Sequence, residues 1–281
     1  MLLFNLDGVI STEASISVLD RGFLYGDSVY EVIRTYHGVP FALLDHLARL
    51  RASAAYLYMA VPWDDAHIIR EVERTLAAAP KGEYYIRIVV TRGADQRIGL
   101  CPEPTTQPRL LIVLMAIAPE PHFNSAGVRL TIAQRQRTSI EALDPAAKTG
   151  NYLNNILALL EAQQHGFDDA LLLNGAGQIT EATTSNVWIV RAGVVETPPP
   201  SVGILHGITR ATLLEILQQL EVPHREVILT PADLASASEA FLSSSVRLLM
   251  PIRQVDETLL PCPGSVSQRL WDALLEVMEN H

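Results

Sequence analysis

The stretch "EALDPAAKTGNYLNNILALLEA" (141–162) decides how this chain is read. Lys148 is the only lysine after Lys81. It ends a polar turn, "DPAAK" (144–148), and precedes helical periodicity over 151–164, with Thr149 or Asn151 as candidate N-caps. Taken alone, such a lysine is a solvated surface charge. In a partly desolvated cleft its pKa falls, and the neutral amine can form a Schiff base with a carbonyl. The residues around it decide between the two.

The bounds are those of a folded enzyme-sized chain. At 281 residues it suits one large domain or two ordinary ones. With 48% hydrophobic and 19% charged residues, it has the composition of a folded chain rather than a disordered one. A formal net charge of −10 and a pI near 5.2 argue against nucleic acid or an anionic membrane surface as the main partner. Acidity leaves a small anionic ligand open, because local arginines can dominate one pocket. Cys101 and Cys262 show no metal or disulfide spacing and read as free buried thiols of a reducing compartment. The N-terminus carries Asp7 and no basic n-region, so no secretory signal is expected. No apolar run reaches the roughly 18 residues of a membrane span. The expectation is a soluble, cytoplasmic protein.

Alternation predicts strands at 30–36, 84–92, 109–117, 128–136, 169–174, 178–182, 187–191, 194–197, 225–229, 239–243 and 248–252. Helical periodicity appears over 43–58, 64–79, 151–164, 209–220 and 266–279. "HG" (37–38) and "NGAGQ" (174–178) are hairpin-turn signals, and Gly166 is a candidate C-terminal cap. "APEPHFNSAG" (118–127) reads as a linker and "TPPPS" (197–201) as a surface turn. The fold class is therefore α+β in two domains, 1–117 and 128–281, with a cleft between them as the expected ligand site.

Metal, dinucleotide, P-loop and hydrolase-elbow readings find no motif: there is no HExxH, GxGxxG, GxxxxGK[ST] or GxSxG. Lys148 instead invites a comparison with pyridoxal phosphate chemistry, in which a lysine holds the aldehyde and then shuttles a proton. That cofactor needs an acid beside its pyridine nitrogen, and N–H groups or hydroxyls for its phosphate. Glu181 in "QITEATTSNVWIV" is an acid in a strand-like run. "GITRATLLEIL" (207–217) is a glycine-hydroxyl turn opening a helix, and "FLSSSVRLL" (241–249) clusters hydroxyls at a strand end.

Lysine, acid, Gly-Ile-Thr turn and hydroxyl cluster, in that order, resemble the fold-type IV pyridoxal 5′-phosphate enzymes: branched-chain aminotransferases, D-amino acid aminotransferases and aminodeoxychorismate lyases. The resemblance begins at "DRGFLYGDSVYEVIRTYHG" (20–38). It continues through "HLARLRAS" (46–53), "KTGNYLNNILALLEA" (148–162), "ITEATTSNVWIV" (179–190), "GITR" (207–210) and "FLSSS" (241–245). It implies a homodimer acting on amino acids and 2-oxo acids, with the cofactor in the interdomain cleft. Lys148 is then the Schiff-base lysine and Glu181 the partner of the pyridine nitrogen. Arg49, Ile208, Thr209, Ser244 and Ser245 hold the phosphate, and Tyr152 lies near the phenolic oxygen.

Within that group, Tyr85-Ile86-Arg87 and the Gly-Leu-x-Pro of "RIGLCP" (97–102) are similar to branched-chain enzymes, with Tyr30 and Tyr85 lining an apolar pocket. If the strand runs over 84–92, Tyr85 and Arg87 share one face, a phenol and a guanidinium suited to a carboxylate. D-amino acid enzymes have an Arg-x-His pair; here Arg97 has Gly99 where the histidine stands. Arg97 then either admits the second carboxylate of 2-oxoglutarate or is solvated. The expected activity is transamination of branched-chain L-amino acids with 2-oxoglutarate. The alternatives are D-amino acid or (R)-amine transamination, the lyase reaction, and a catalytically silent binding protein of the same fold.

Overall fold

The computed structural model describes residues 1–118 and 123–280. Contacts divide the chain into two compact units, Met1–Glu120 with Ala147–Asn151, and Pro121–Ala146 with Tyr152–His281. Both mix helices and strands, so the fold is α+β in two domains. Of the expected linker 118–127, residues 119–122 lie outside the described residues.

In the first unit the chain runs β1 (Leu2–Leu6), β2 (Val9–Ser11), α1 (Arg21–Tyr25), β3 (Ser28–Tyr36), β4 (Val39–Pro40), α2 (Leu43–Tyr56), α3 (Asp65–Ala77), β5 (Glu83–Thr91) and β6 (Arg109–Ile117). Among the described residues these strands form a six-stranded antiparallel sheet ordered β2-β1-β6-β5-β3-β4. Alternation on β5 explains its packing. Tyr84, Ile86, Ile88 and Val90 are buried in a core with Val29, Ile33, Ile112, Leu114, and Leu47, Leu50 and Ile68 of the helices. Tyr85, Arg87 and Val89 therefore lie together on the opposite face, half-buried. His37 and Gly38, at φ 51° and 79°, form the tight β3–β4 hairpin that their sequence announces.

The Lys148 segment, expected within the second domain, packs with the first unit instead. It completes the edge of β3: the Tyr30 N–H donates to the Lys148 carbonyl at 3.0 Å, and the Gly150 N–H to the Ser28 carbonyl at 2.8 Å. The approach is so close that a Cβ on Gly150 would stand 2.3 Å from Ser28 Oγ. Backbone pairing with β3, rather than a helix cap, fixes the lysine.

In the second unit the elements are β7 (Val128–Gln136), α4 (Leu153–Gln164), β8 (Asp169–Leu173), β9 (Ile179–Ala182), β10 (Asn186–Arg191), β11 (Val194–Thr197), α5 (Ile208–Gln219), β12 (His224–Glu226), α6 (Pro231–Leu234), β13 (Glu239–Ser244), β14 (Leu248–Val255), β15 (Thr258–Leu259) and α7 (Ser265–Glu279). The sheet runs β12-β11-β10-β13-β14-β7-β8-β9, and β9 also pairs with β10 through Glu181 and Asn186, so the strands from β10 to β9 close into a ring. Leu130, Leu171, Val187, Ile189, Leu242 and Ile252 fill the core. The parallel pair β7–β8 uses α4 as its crossover.

Several expectations need correction. The helix after Lys148 begins at Leu153, and its cap residue is Tyr152, which makes no side-chain cap bond; Thr149 Oγ1 accepts from the Asn151 N–H instead. The strand expected over 225–229 is confined to 224–226, where it pairs in parallel with β11. Thr197 and Pro198 of "TPPPS" are buried, and the Pro198 carbonyl accepts from the Arg210 guanidinium at 2.9 Å. Cys101 is exposed and Cys262 half-buried, so neither is a core thiol. Gly166, at φ 79°, follows His165, the C-cap of α4, as a left-handed stop, as expected. Among the described residues no helix is long and apolar enough to cross a membrane.

Candidate active site

In the first unit, the ring of Tyr30 organises a cationic cluster. Lys148 Nζ stands 4.5 Å from the ring centroid and Arg87 Cζ 3.8 Å from it. Register explains the meeting: Tyr30 pairs with Val89 and Val32 with Arg87, so Tyr30 and Arg87 are diagonal neighbours on one face. Tyr85 lies two residues before Arg87 on that face. Tyr30, Tyr85 and Arg87 thus share the face that alternation expects; Tyr30 and Arg87 stand with the lysine, and Tyr85 lies farther along β5, opposite Arg34.

On the other face of β3, Glu31 is fully buried among apolar residues. Its Oε1 accepts from Arg49 Nε at 2.7 Å, its Oε2 from Arg49 Nη2 at 2.6 Å, and Oε2 also meets His46 Nδ1 at 2.7 Å. One helical turn on, Ser53 Oγ donates to the Arg49 carbonyl and accepts the Lys148 N–H, both at 2.9 Å. Helix α2 therefore carries Arg49 and anchors the backbone of Lys148.

Burial pushes the Glu31 carboxyl up, but its bonds to Arg49 and His46 outweigh this and hold it at about 2, below its ordinary 4.5. A depressed carboxylate stabilises the fold fully above about pH 4.5, and this contribution is lost as pH falls toward 2. Glu31→Gln is therefore expected to lower stability by about 3 kcal/mol near neutrality. The deficit shrinks steadily below pH 4.5. Urea unfolding of both proteins from pH 7 to pH 3 checks this; a deficit constant across that range contradicts it.

In the second unit, Glu181 is buried on β9. Arg137 grips Oε1 through Nη2 at 2.8 Å and Nε at 3.1 Å, while Oε2 accepts from the Leu205 N–H at 3.0 Å and Asn186 Nδ2 at 3.4 Å. Asn155 accepts from Arg137 Nη1 at 3.1 Å and so braces that arginine. Asn186 also donates to the Leu205 carbonyl at 3.0 Å, and its Oδ1 lies where a Cβ on Gly207 would intrude to 2.1 Å. Asn186 thus ties the acid to the Gly-Ile-Thr turn. Gly207 offers α5 no side-chain cap, so the first N–H groups of that helix, at Ile208 and the buried Thr209, face an anion's natural position. At the end of β13, Ser243 is engaged with Trp188 Nε1 at 2.9 Å, Ser244 Oγ accepts from the Arg247 N–H at 3.3 Å, and Ser245 is half-buried.

Arg97 does not join the Tyr30 group. Its guanidinium is 87% exposed and paired with Glu103 at 3.2 Å. The loop that bears it is held by Arg21, whose buried guanidinium donates to Asp95 at 2.8 Å and to the carbonyls of Gly99 and Leu100 at 2.8 and 2.6 Å. Sequence reasoning missed Arg21, Glu31, His46, Ser53, Arg137, Asn155 and Asn186. Glu31 had a visible signal, an acid on the parity of Val29 and Ile33.

The family model for amino-transferase class IV matches residues 28–255. The chain is 37% identical over 267 residues to a Methanocaldococcus jannaschii protein provisionally named as a branched-chain-amino-acid aminotransferase, covering 94% of this chain and 92% of that one. It is 29% identical over 280 residues to the D-alanine aminotransferase of Bacillus licheniformis, covering 97% and 95%. The branched-chain aminotransferase of Thermoproteus uzoniensis, solved with norvaline, superposes with a TM-score of 0.92 at 32% identity, over 98% of this chain and 94% of that one. The chain belongs to the class IV aminotransferases, fold-type IV enzymes whose cofactor is pyridoxal 5′-phosphate.

The residues fit that cofactor. The uncapped start of α5, with no room for a Cβ at Gly207, suits a phosphate. A buried carboxylate held only by donors suits a ring N–H, and a backbone-anchored lysine suits an aldehyde.

Proposed function

We propose that this aminotransferase moves amino groups between branched-chain L-amino acids and 2-oxoglutarate in a ping-pong cycle. The observation that carries the reading is the first-unit cluster, in which Arg87 and Lys148 flank the ring of Tyr30 with Tyr85 on the same face. A carboxylate bound by Arg87 brings a substrate's Cα within reach of an amine poised 4.5 Å from that ring. Around it, Val89 and Leu111 offer aliphatic surface for an aliphatic side chain.

When bound, the cofactor supplies an aldehyde that captures the amino group and a ring that draws electrons from Cα. Lys148 Nζ takes the Cα proton and returns it. Glu181 accepts the ring N–H and keeps that proton in place, its own position fixed by Arg137 and Asn186. By the family resemblance, Arg49, Thr209, the Ile208 N–H, Ser244 and Ser245 would hold the phosphate, and Tyr152 would contact the phenolic oxygen. We further read the working protein as a cytoplasmic homodimer, as the family resemblance implies.

Arg87→Ala is expected to slow the L-leucine and L-isoleucine half-reactions at least about tenfold, the loss of a charge-assisted contact of roughly 1.5–3 kcal/mol. Arg97→Ala, at an exposed guanidinium paired with Glu103, is expected to leave them nearly unchanged. Stopped-flow half-reactions check both; an Arg87→Ala protein as fast as its parent removes Arg87 from the substrate site. A second reading, D-amino acid transamination, has the Bacillus licheniformis likeness in its favour. The exposed Arg97 with Gly99 in place of a histidine speaks against it.

A further inference from the structure

Glu31 is an anomaly in its surroundings. It shares the inner face of β3 with Val29 and Ile33, packed against Leu47 and Leu50, and has no exposed surface. A carboxylate in such a core is retained at a cost relative to an apolar residue, because two charges are taken out of water. Packing therefore does not account for it. Its geometry does.

His46 and Arg49 are three residues apart on α2, so they project from one helical face and a single carboxylate receives both. The Arg49 contact is bidentate, with Nε and Nη2 on separate oxygens, which fixes the plane of the guanidinium and hence the direction of its outer edge. His46 braces Oε2 from the side. Burial and the positive charges of Arg49 and Lys148 hold the imidazole's pKa down against the pull of Glu31, so its neutral form donates through Nδ1. The same helix then reaches the Lys148 backbone through Ser53.

We propose that Glu31, braced by His46, is a positioning residue that preorganises Arg49 for the cofactor's phosphate. This rests on reading Arg49 as a phosphate ligand. An arginine side chain left to itself loses rotamer freedom on binding an anion; one already locked by a buried carboxylate does not. Glu31 touches neither substrate nor cofactor and acts through Arg49.

The test compares pyridoxal 5′-phosphate with pyridoxal, which shares ring and aldehyde and lacks only the phosphate. Binding of each to the full-length apoprotein is followed by tryptophan fluorescence. The parent is expected to prefer the phosphorylated form strongly. Glu31→Gln is expected to reduce that preference at least about tenfold while pyridoxal binding changes little, since only preorganisation toward the phosphate is lost. Arg49→Lys is expected to do the same, and the double variant to lose little more, because both changes act on one contact. If Glu31→Gln does not fold, His46→Leu carries the test, with a smaller loss of the same preference. An unchanged preference in the folded variant, equal losses for both ligands, or full additivity with Arg49→Lys overturns the proposal. A parent with no preference removes Arg49 as a phosphate ligand, and the proposal with it.

Discussion

Lys148→Ala is expected to lose turnover by more than about a thousandfold, because the group proposed to move the Cα proton is gone and such transfers contribute roughly a hundredfold to ten-thousandfold. The variant should fold. The bonds that seat residue 148 are made by its backbone, from Tyr30 and to Ser53, and alanine keeps them. The side chain's contact with the Tyr30 ring contributes on the order of 0.5–1 kcal/mol. The cofactor should still bind through its phosphate, more weakly and without the covalent link. Steady-state turnover, circular dichroism and cofactor retention on gel filtration together check this. Activity within tenfold of the parent removes Lys148 from the chemistry.

Glu181→Gln is expected to cost turnover on the order of a hundredfold to a thousandfold, the range for one preorganised electrostatic contact. A carboxylate stabilises a protonated ring nitrogen; an amide of the same shape does not, and the ring then draws electrons from Cα less strongly. The change also leaves Arg137 facing a neutral group in a buried setting, so some loss of stability accompanies it. The two effects separate cleanly. A structural role alone lowers the melting temperature and leaves the rate per folded molecule unchanged, whereas the assigned role slows the half-reaction of fully loaded, folded protein. Rates close to the parent's with the best donor reduce Glu181 to a strand residue.

How much of this was legible depended on whether the signal was local. Long alternation gave β6 and β7 with their true limits, and Tyr85 and Arg87 on their common face, because a two-residue period needs no knowledge of partners. The lysine, the acid and the glycine-led turn could be read for the same reason: each is a short motif beside its own element. Strand β1 could not. In "LLFNL" its buried positions are Leu3 and Asn5, and the asparagine is tolerated inside only because Glu71 and Thr75, far along the chain, accept its amide at 2.9 and 3.0 Å. Helix α1 is five residues long, too short for periodicity, although Asp20 before it and Gly26 after it are sound cap signals. The grip on Glu181 was invisible because Arg137 lies 44 residues upstream. Membership of the 147–151 segment in the first unit was equally hidden, since it rests on backbone pairing with Ser28 and Tyr30. Local pattern names the candidate groups; tertiary pairing decides what holds them.

The exposed Arg97 bears on substrate choice as well. The proposed carboxylate site and aliphatic wall lie with the Tyr30 cluster in one unit, and neither uses the loop fixed by Arg21. The most direct measurement is the half-reaction of the loaded parent protein, followed by loss of the cofactor's visible absorption band, with L-leucine and D-alanine in parallel. The band is expected to disappear faster with L-leucine than with D-alanine at equal concentration, and to return on adding 2-oxoglutarate. Faster loss with D-alanine contradicts the branched-chain assignment.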